Sequence, residues 1–272
     1  MFNILTIDVE AWYNFCGIEK KLPVSQWEKT PDRLEEGLEP TLRLLEKHRA
    51  QATFFTLGYF AQKKPELIGE IVKRGYELGS HGFYHRPAYR QSGQEFAADL
   101  EASLNALAPL KGGPILSYRA PEWSLRGETQ LEELSRRGII YDSSLYPVPV
   151  FGNAGQGVSP YWIETKAGKV REFPPLTKSS PLGNLPLGGS LPLRIFPYRM
   201  LKKRIETLNR QGLPALLYFH PWELDEKIPK IDRFSLRGMA HYAFLSQTAL
   251  KLERLLGDFP FLGLEEWARR NP

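Results

Sequence analysis

The stretch "ATFFTLGYFAQKKPELIGEIVKRGYELGSH", residues 52–81, decides the fold. "ATFFTLG" is a short apolar run rich in β-formers and reads as a strand. "PELIGEIVKRG" reads as a helix, with proline at its front and glycine behind it. "YELGSH" is a second strand. Two strands joined through a helix form a crossover unit, which pairs them parallel.

Working outward, the same rhythm recurs about every 25 to 30 residues. "NILTIDV" reads as a strand, followed by a helix over "PDRLEEGLEPTLRLLEKH". A helix near "GQEFAADLEASLNALA" precedes a strand at "LSYRAP", and "TQLEELSRRG" precedes a strand at "IIYDSS". Later come a helix at "YRMLKKRIETLNRQG", a strand at "PALLYFH", a helix at "HYAFLSQTALKLERLLG" and a last strand at "FPFLGLEEW". No glycine-rich phosphate loop follows any strand. The expected fold is α/β: a deformed (β/α) barrel of about seven parallel strands, resembling a TIM barrel. The rhythm breaks over 146–197, a Pro/Gly-rich insertion holding one hairpin, "YWIETKAGKVREF". An insertion of that length covers or lines a site. No linker divides the chain, so 1–272 reads as a single domain.

Composition narrows the function. The chain of 272 residues is 42% hydrophobic and 25% charged, ordinary values for a globular enzyme. Its net charge of +5 comes from scattered Lys and Arg, with no nucleic-acid-binding arm. A weak attraction to an anionic polymer or membrane surface fits that charge. The lone cysteine, Cys16, excludes an internal disulfide and a thiolate zinc site, and reads as a semi-buried thiol. The opening "MFNILTIDVEAW" has no basic leader, and no apolar run reaches the roughly 18 residues of a membrane span. A soluble, cytoplasmic protein is expected, at most associated with the inner membrane face.

The candidate chemistry sits where strands end. Asp8 and Glu10 end the first strand, His81 the third, Arg119 the next; Asp142 follows, and His220 ends "ALLYFH". In a parallel barrel these ends converge on one face, where active sites lie. "SHGFYHRP" carries two of only five histidines, His81 and His85, four apart. On one helical turn that spacing aims both imidazoles at one point, as a chelated metal requires. With one carboxylate they would form a two-histidine, one-carboxylate site. Asp8 and Glu10, two apart on a strand, share a side. His48 closes a helix, where a cation suits the dipole. His241 reads as a surface or packing residue, and Glu223 and Asp225 equally as substrate contacts or loop caps.

"TIDVE", "SHGFYH", "YRAPEW", "YDSS" and "YFHPWELD" stand in the order of the five motifs of the polysaccharide deacetylase family, the NodB-homology carbohydrate esterases of family 4, and the chain resembles that family over roughly 3–267. The run "REFPP…GGS…FPY…FHPWELD" further resembles the subgroup associated with bacterial exopolysaccharide loci. The resemblance implies that Asp8 is the general base, that His81 and His85 bind a divalent metal, and that His220 is the general acid. It implies that Arg119 holds Asp8, that Asp142 orients His220, and that the Glu122 amide N–H stabilises the oxyanion. The commonest family motif has adjacent aspartates, the second a ligand; here Val9 stands in that place, so Glu10 is inferred to be the third ligand. Zinc suits such a donor set, as would cobalt, nickel or iron.

The activity so implied is metal-dependent removal of N-acetyl groups from N-acetylhexosamine units of a polysaccharide or its lipid-linked precursor. Trp12, Tyr84, Trp123 and Trp222 flank the motifs as stacking platforms for sugar rings or as packing. Two rivals stand beside this reading. One is a hydrolase of a small non-sugar amide or imide on the same fold; the other is a non-catalytic glycan-binding module.

Overall fold

The computed structural model describes residues 1–15, 17–149, 155–225 and 227–272. Cys16 and its expected half-burial lie outside the described residues, as do 150–154 of the insertion. The elements follow the expected alternation: β1 (Asn3–Val9), α1 (Leu34–His48), β2 (Thr53–Thr56), α2 (Gly58–Lys63), α3 (Pro65–Lys73), β3 (Glu77–Ser80), α4 (Gly93–Lys111), β4 (Ser117–Tyr118), α5 (Glu128–Arg136) and β5 (Tyr141–Asp142). The insertion contributes the hairpin β6 (Tyr161–Thr165) and β7 (Gly168–Glu172), a second hairpin β8 (Thr177–Ser180) and β9 (Gly183–Pro186), and α6 (Ser190–Ile195). The chain ends with α7 (Tyr198–Arg210), β10 (Leu216–Phe219), α8 (Leu236–Tyr242), α9 (Ser246–Asp258), β11 (Phe261–Leu262) and α10 (Leu264–Arg270). Among the described residues, no helix is long and apolar enough to cross a membrane.

The sheet runs β10-β1-β2-β3-β4-β5-β7-β6, with β11 also pairing β1. From β10 to β7 every pairing is parallel, which makes seven parallel strands in a curved row; only β6 is antiparallel. Thr56 lies opposite Ser80, Ser80 opposite Tyr118, and Tyr118 opposite Asp142, so the carboxyl ends line up along one rim. β1 is buried along its whole length. Its alternation divides the core: Leu5, Ile7 and Val9 pack outward against the helical layer. Ile4 points into the barrel, where Phe55, Phe173, Leu216, Leu262, Leu264 and Trp267 plug the floor.

β7 and β10 do not pair directly; backbone from the insertion closes the gap. Leu176 N–H donates to Leu216 O at 2.9 Å, and Tyr218 N–H to Gly188 O at 2.7 Å. Gly189 passes so near β10 that a Cβ there would meet Tyr218 O at 1.7 Å. Only glycine permits that approach. The stretch 146–197 therefore supplies a barrel strand and the closure, not merely a cover.

Two other expectations change. "FPFLGLEEW" is a strand only at Phe261–Leu262; α10 follows, burying Leu264, Trp267 and Ala268 at helical spacing. Its first amides are accepted by Glu77, at 2.9 Å from Glu265 N and 2.6 Å from Glu266 N. The helix expected over "HYAFLSQTALKLERLLG" is broken at Phe244, whose φ is +54°, giving α8 and α9.

Across β5 and β7, Asp142 lies opposite Glu172, both fully buried. Asp142 accepts from Ser144 Oγ at 2.5 Å and Glu172 from Leu145 N–H at 3.0 Å. Burial raises the pKa of both, and repulsion from Asp142 pushes Glu172 well above its ordinary value of 4.5. The folded protein thus keeps a proton that the unfolded chain releases above about pH 4.5, so this pair's stability is lost as pH rises through the folded pKa. Glu172→Gln keeps an acceptor for Leu145 and offers Asp142 a donor. It is expected to raise the melting temperature by about 2–4 °C at pH 8, with the gain vanishing near pH 4.5; thermal unfolding across that range checks it.

Candidate active site

Arg119, just beyond β4, is fully buried inside the barrel. Its Nη1 donates to Asp8 Oδ1 at 2.7 Å and Thr6 Oγ1 at 2.8 Å, and its Nη2 to Ser143 Oγ at 2.8 Å. Nε donates to Ser143 O at 3.1 Å. Phe55 and Trp123 sit 4.4 and 4.6 Å from the guanidinium carbon. A guanidinium so paired and enclosed cannot turn, and it fixes the Asp8 carboxylate on the cavity floor.

His81 and His85 follow β3. They do not share a helical turn as expected from their spacing: Gly82 and His85 are both left-handed, at φ +73° and +55°. The loop folds back because Asp99 of α4 accepts from Phe83 N–H at 2.8 Å, and a Cβ on Gly82 would meet that same carboxylate at 2.9 Å. The two rings still meet, 5.4 Å between centroids. His81 Nδ1 lies 2.8 Å from Arg119 O. That carbonyl can only accept, which makes Nδ1 the donor and leaves the Nε2 lone pair facing Glu10. Burial, with His85 adding to it, lowers the His81 pKa to about 3.

One donor atom each from Glu10, His81 and His85 lies within 4.8 Å of the others. Glu10 Oε2 is 2.7 Å from His85 Nε2 and 3.9 Å from His81 Nε2. It is buried, and its close approach to His85 Nε2 lacks the alignment of a good hydrogen bond. A buried, poorly satisfied carboxylate oxygen beside two imidazole nitrogens is a donor set suited to a divalent cation. The three residues fit a metal on that ground.

His220, just past β10, completes the ring. Its Nδ1 is 2.8 Å from Glu223 Oε1, which also accepts the His220 backbone N–H at 3.1 Å. Glu223 is in turn paired with buried Arg194 at 3.2 Å. This leaves His220 Nε2 in the cavity, 3.2 Å from Glu10 Oε1 and 3.9 Å from Asp8 Oδ2. Burial works to lower the His220 pKa, but Glu10, Glu223 and Asp8 together raise it to about 9.

These groups line a cavity of about 680 Å³ with Asn14, Phe15, Tyr89, Glu122, Trp123, Arg126, Trp222, Arg237 and His241. A second cavity of about 510 Å³ adjoins it, sharing Asn14, Phe15, His85 and Glu122. Glu122 and Trp123 are consecutive left-handed residues, φ +57° and +55°, where the chain turns along the wall.

Several expectations need correction. Asp142 does not orient His220: its carboxyl is engaged with Ser144 and Glu172, and Glu223 occupies the Nδ1 side of His220. Trp12 is no sugar platform, being 3% exposed, with Nε1 donating to Pro31 O at 2.9 Å. Tyr84 lines the adjoining cavity, packed near Trp27, Tyr59 and Phe83. Trp123 and Trp222 do line the main cavity. Trp222 lies between His220 and His241, ring centroids 5.2 and 4.2 Å away. His241 is a packing residue, its Nε2 at 3.0 Å from Trp12 O. Asp225 is a loop cap, accepting from Arg33 and from Lys227 N–H.

Residues 21–139 match the model of the polysaccharide deacetylase family, and residues 143–269 match that of a domain of unknown function, DUF3473. A peptidoglycan deacetylase of Helicobacter pylori is 31% identical over 41% of this chain and 38% of its own length. The peptidoglycan-N-acetylmuramic acid deacetylase PdaA of Bacillus subtilis is 29% identical over 38% of this chain and 40% of its own. The chain thus spans about two-fifths of these curated relatives. A "probable polysaccharide deacetylase" structure from Pseudomonas aeruginosa PAO1 superposes with a TM-score of 0.64 at 17% identity, covering 99% of this chain and 91% of that one. At that identity the likeness is one of fold, a deformed (β/α) barrel. Residues 21–139 thus resemble the polysaccharide deacetylase family, and the barrel they help to build is shared with that structure.

Proposed function

We propose that the chain is a metal-dependent deacetylase that hydrolyses N-acetyl groups on N-acetylhexosamine units of a polysaccharide or its lipid-linked precursor. One observation carries the reading: a fixed carboxylate, Asp8, and an oriented imidazole, His220, flank the Glu10–His81–His85 cluster on one cavity floor. Both curated relatives are named for deacetylating peptidoglycan, which supports an N-acetylated glycan as the substrate class.

A divalent cation, zinc being the best match to two imidazoles and a carboxylate, would supply Lewis acidity there, polarising the carbonyl and acidifying water. The chain's own groups do the rest. Asp8, immobilised by Arg119, takes the proton of the attacking water. The Glu122 backbone N–H at the turned wall receives the developing oxyanion. His220, with Nδ1 held by Glu223, presents Nε2 to the amide nitrogen and protonates the leaving amine as the C–N bond breaks. Acetate and a free amine result. Trp123 and Trp222 offer faces to the sugar ring, and the adjoining cavity gives room for a neighbouring unit.

Acetate release from N-acetylglucosamine or N-acetylgalactosamine oligomers should disappear on chelation and return with zinc. Both activity and bound zinc should fall at least ~100-fold in His85→Ala. An intact protein that binds no divalent cation would overturn the reading. The positioning of His220 has its own check. Glu223→Ala should lower kcat roughly 10–100-fold with KM little changed, whereas Asp142→Asn should stay within about threefold. The reverse order would restore Asp142 to the role the motif resemblance implied.

A further inference from the structure

α8 is folded inside out. It buries Gly238 and His241, three apart, and turns Leu236 and Met239 to solvent. Leu236 is 86% exposed and Met239 58%; Phe234 just before the helix and Phe244 just after it are 83% and 63% exposed. Four large apolar side chains within eleven residues form an exposed patch of the kind that marks an interaction site. The inversion has a structural cause. Asp232 O would lie 2.1 Å from a Cβ on Gly238, so that side must stay bare, while His241 is drawn inward to Trp12 O and Trp222.

Charge identifies the partner. Residues 227–244 carry Lys227, Lys230, Arg233 and Arg237 against Asp232, four positive minus one negative, net +3. All four cations are exposed, and the single acid is paired with Lys21, next to exposed Lys20. Arg237 lies near the Glu19 carboxylate, which Arg90 also pairs, and it lines the main cavity as well. Leucine and methionine on the outer face of a short helix, with phenylalanine, lysine and arginine in the helix and the segments beside it, form the composition of an interfacial element on an anionic bilayer.

We propose that the outer face of α8, with Phe234 and Phe244, docks the protein on an anionic lipid surface beside the opening of its cavity. Phe234, Leu236, Met239 and Phe244 enter the headgroup boundary while Lys227, Lys230, Arg233 and Arg237 meet lipid phosphates. The docked cavity then opens next to the bilayer. This selects, on the deacetylase reading given above, the lipid-linked form of the glycan.

The test is co-sedimentation of the full chain with vesicles of phosphatidylcholine alone and with about one-third phosphatidylglycerol. Binding is expected to the anionic vesicles and to weaken in about 0.5 M salt. It should fall roughly tenfold or more in Leu236→Ser/Met239→Ser and in Lys230→Glu/Arg233→Glu. Both pairs of positions are solvent-facing, so an unchanged melting temperature should show each variant folded. Wild-type protein that ignores anionic vesicles, or variants that bind as well as it does, would overturn the proposal. So would a wild-type dimer that Leu236→Ser/Met239→Ser converts to monomer without any vesicle binding, since the patch would then be an interface between copies. Acetate release from soluble oligomers should be unaltered in Leu236→Ser/Met239→Ser. Vesicle binding with no acetate release from any protein would sink the deacetylase reading and leave the docking surface standing.

Discussion

The buried ion pair between Arg119 and Asp8 is the constraint on which the rest of the site depends. A charge inside a barrel is costly unless every polar atom is engaged, and here the guanidinium is engaged on all sides. It ties β1, through Thr6 and Asp8, to the segment after β5, through Ser143. Its own carbonyl sets the tautomer of His81. One residue therefore positions the proposed base and orients a proposed metal ligand. Losing one partner from such a pair costs about 3–5 kcal/mol, because the other charge is left stranded. The aromatic walls of Phe55 and Trp123 exclude the water that could soften that loss.

Much of this is legible in the sequence, for reasons that differ residue by residue. Strand-end positions converge in any parallel barrel, so Asp8, Glu10, His81, Arg119 and His220 could be gathered from the βα rhythm alone. The backbone joining His81 to His85 could not, because nothing local announces that Asp99, on the far side of the loop, bends it out of a helix. Glu223 was partly legible: a residue with a glutamate three positions on is the pattern of a reciprocal cap, and His220 makes that cap through both its ring and its backbone. Arg194, which completes the relay, sits on α6 of the insertion, a helix of six residues too short to display a helical repeat. Short elements defeated periodicity in the same way, as α10 shows, because seven residues are too few to display a helical repeat.

The two matched segments divide the chain but not the site. The histidine pair and Arg119 fall within 21–139, while His220, Glu223 and Arg194 fall within 143–269. Asp8 and Glu10 precede both. The second segment also closes the barrel through Leu176, Gly188 and Gly189 against β10, the strand that carries His220. The placement of the proposed acid is thus a product of the closure, and packing errors in the insertion would reach the site through β10.

The departure at Val9 follows from the same geometry. Val9 is wholly buried among the apolar side chains between β1 and the helices, so a carboxylate there would face hydrocarbon, not the cavity. Glu10 stands one residue past the strand, on the side of Asp8, and its longer side chain reaches between two imidazoles: Oε2 lies toward His85 and Oε1 toward His220. An aspartate at position 10 would lack the methylene that spans this gap. The extra carbon places the proposed third ligand without disturbing Asp8, which Arg119 already holds. Reach, rather than charge, is what position 10 demands.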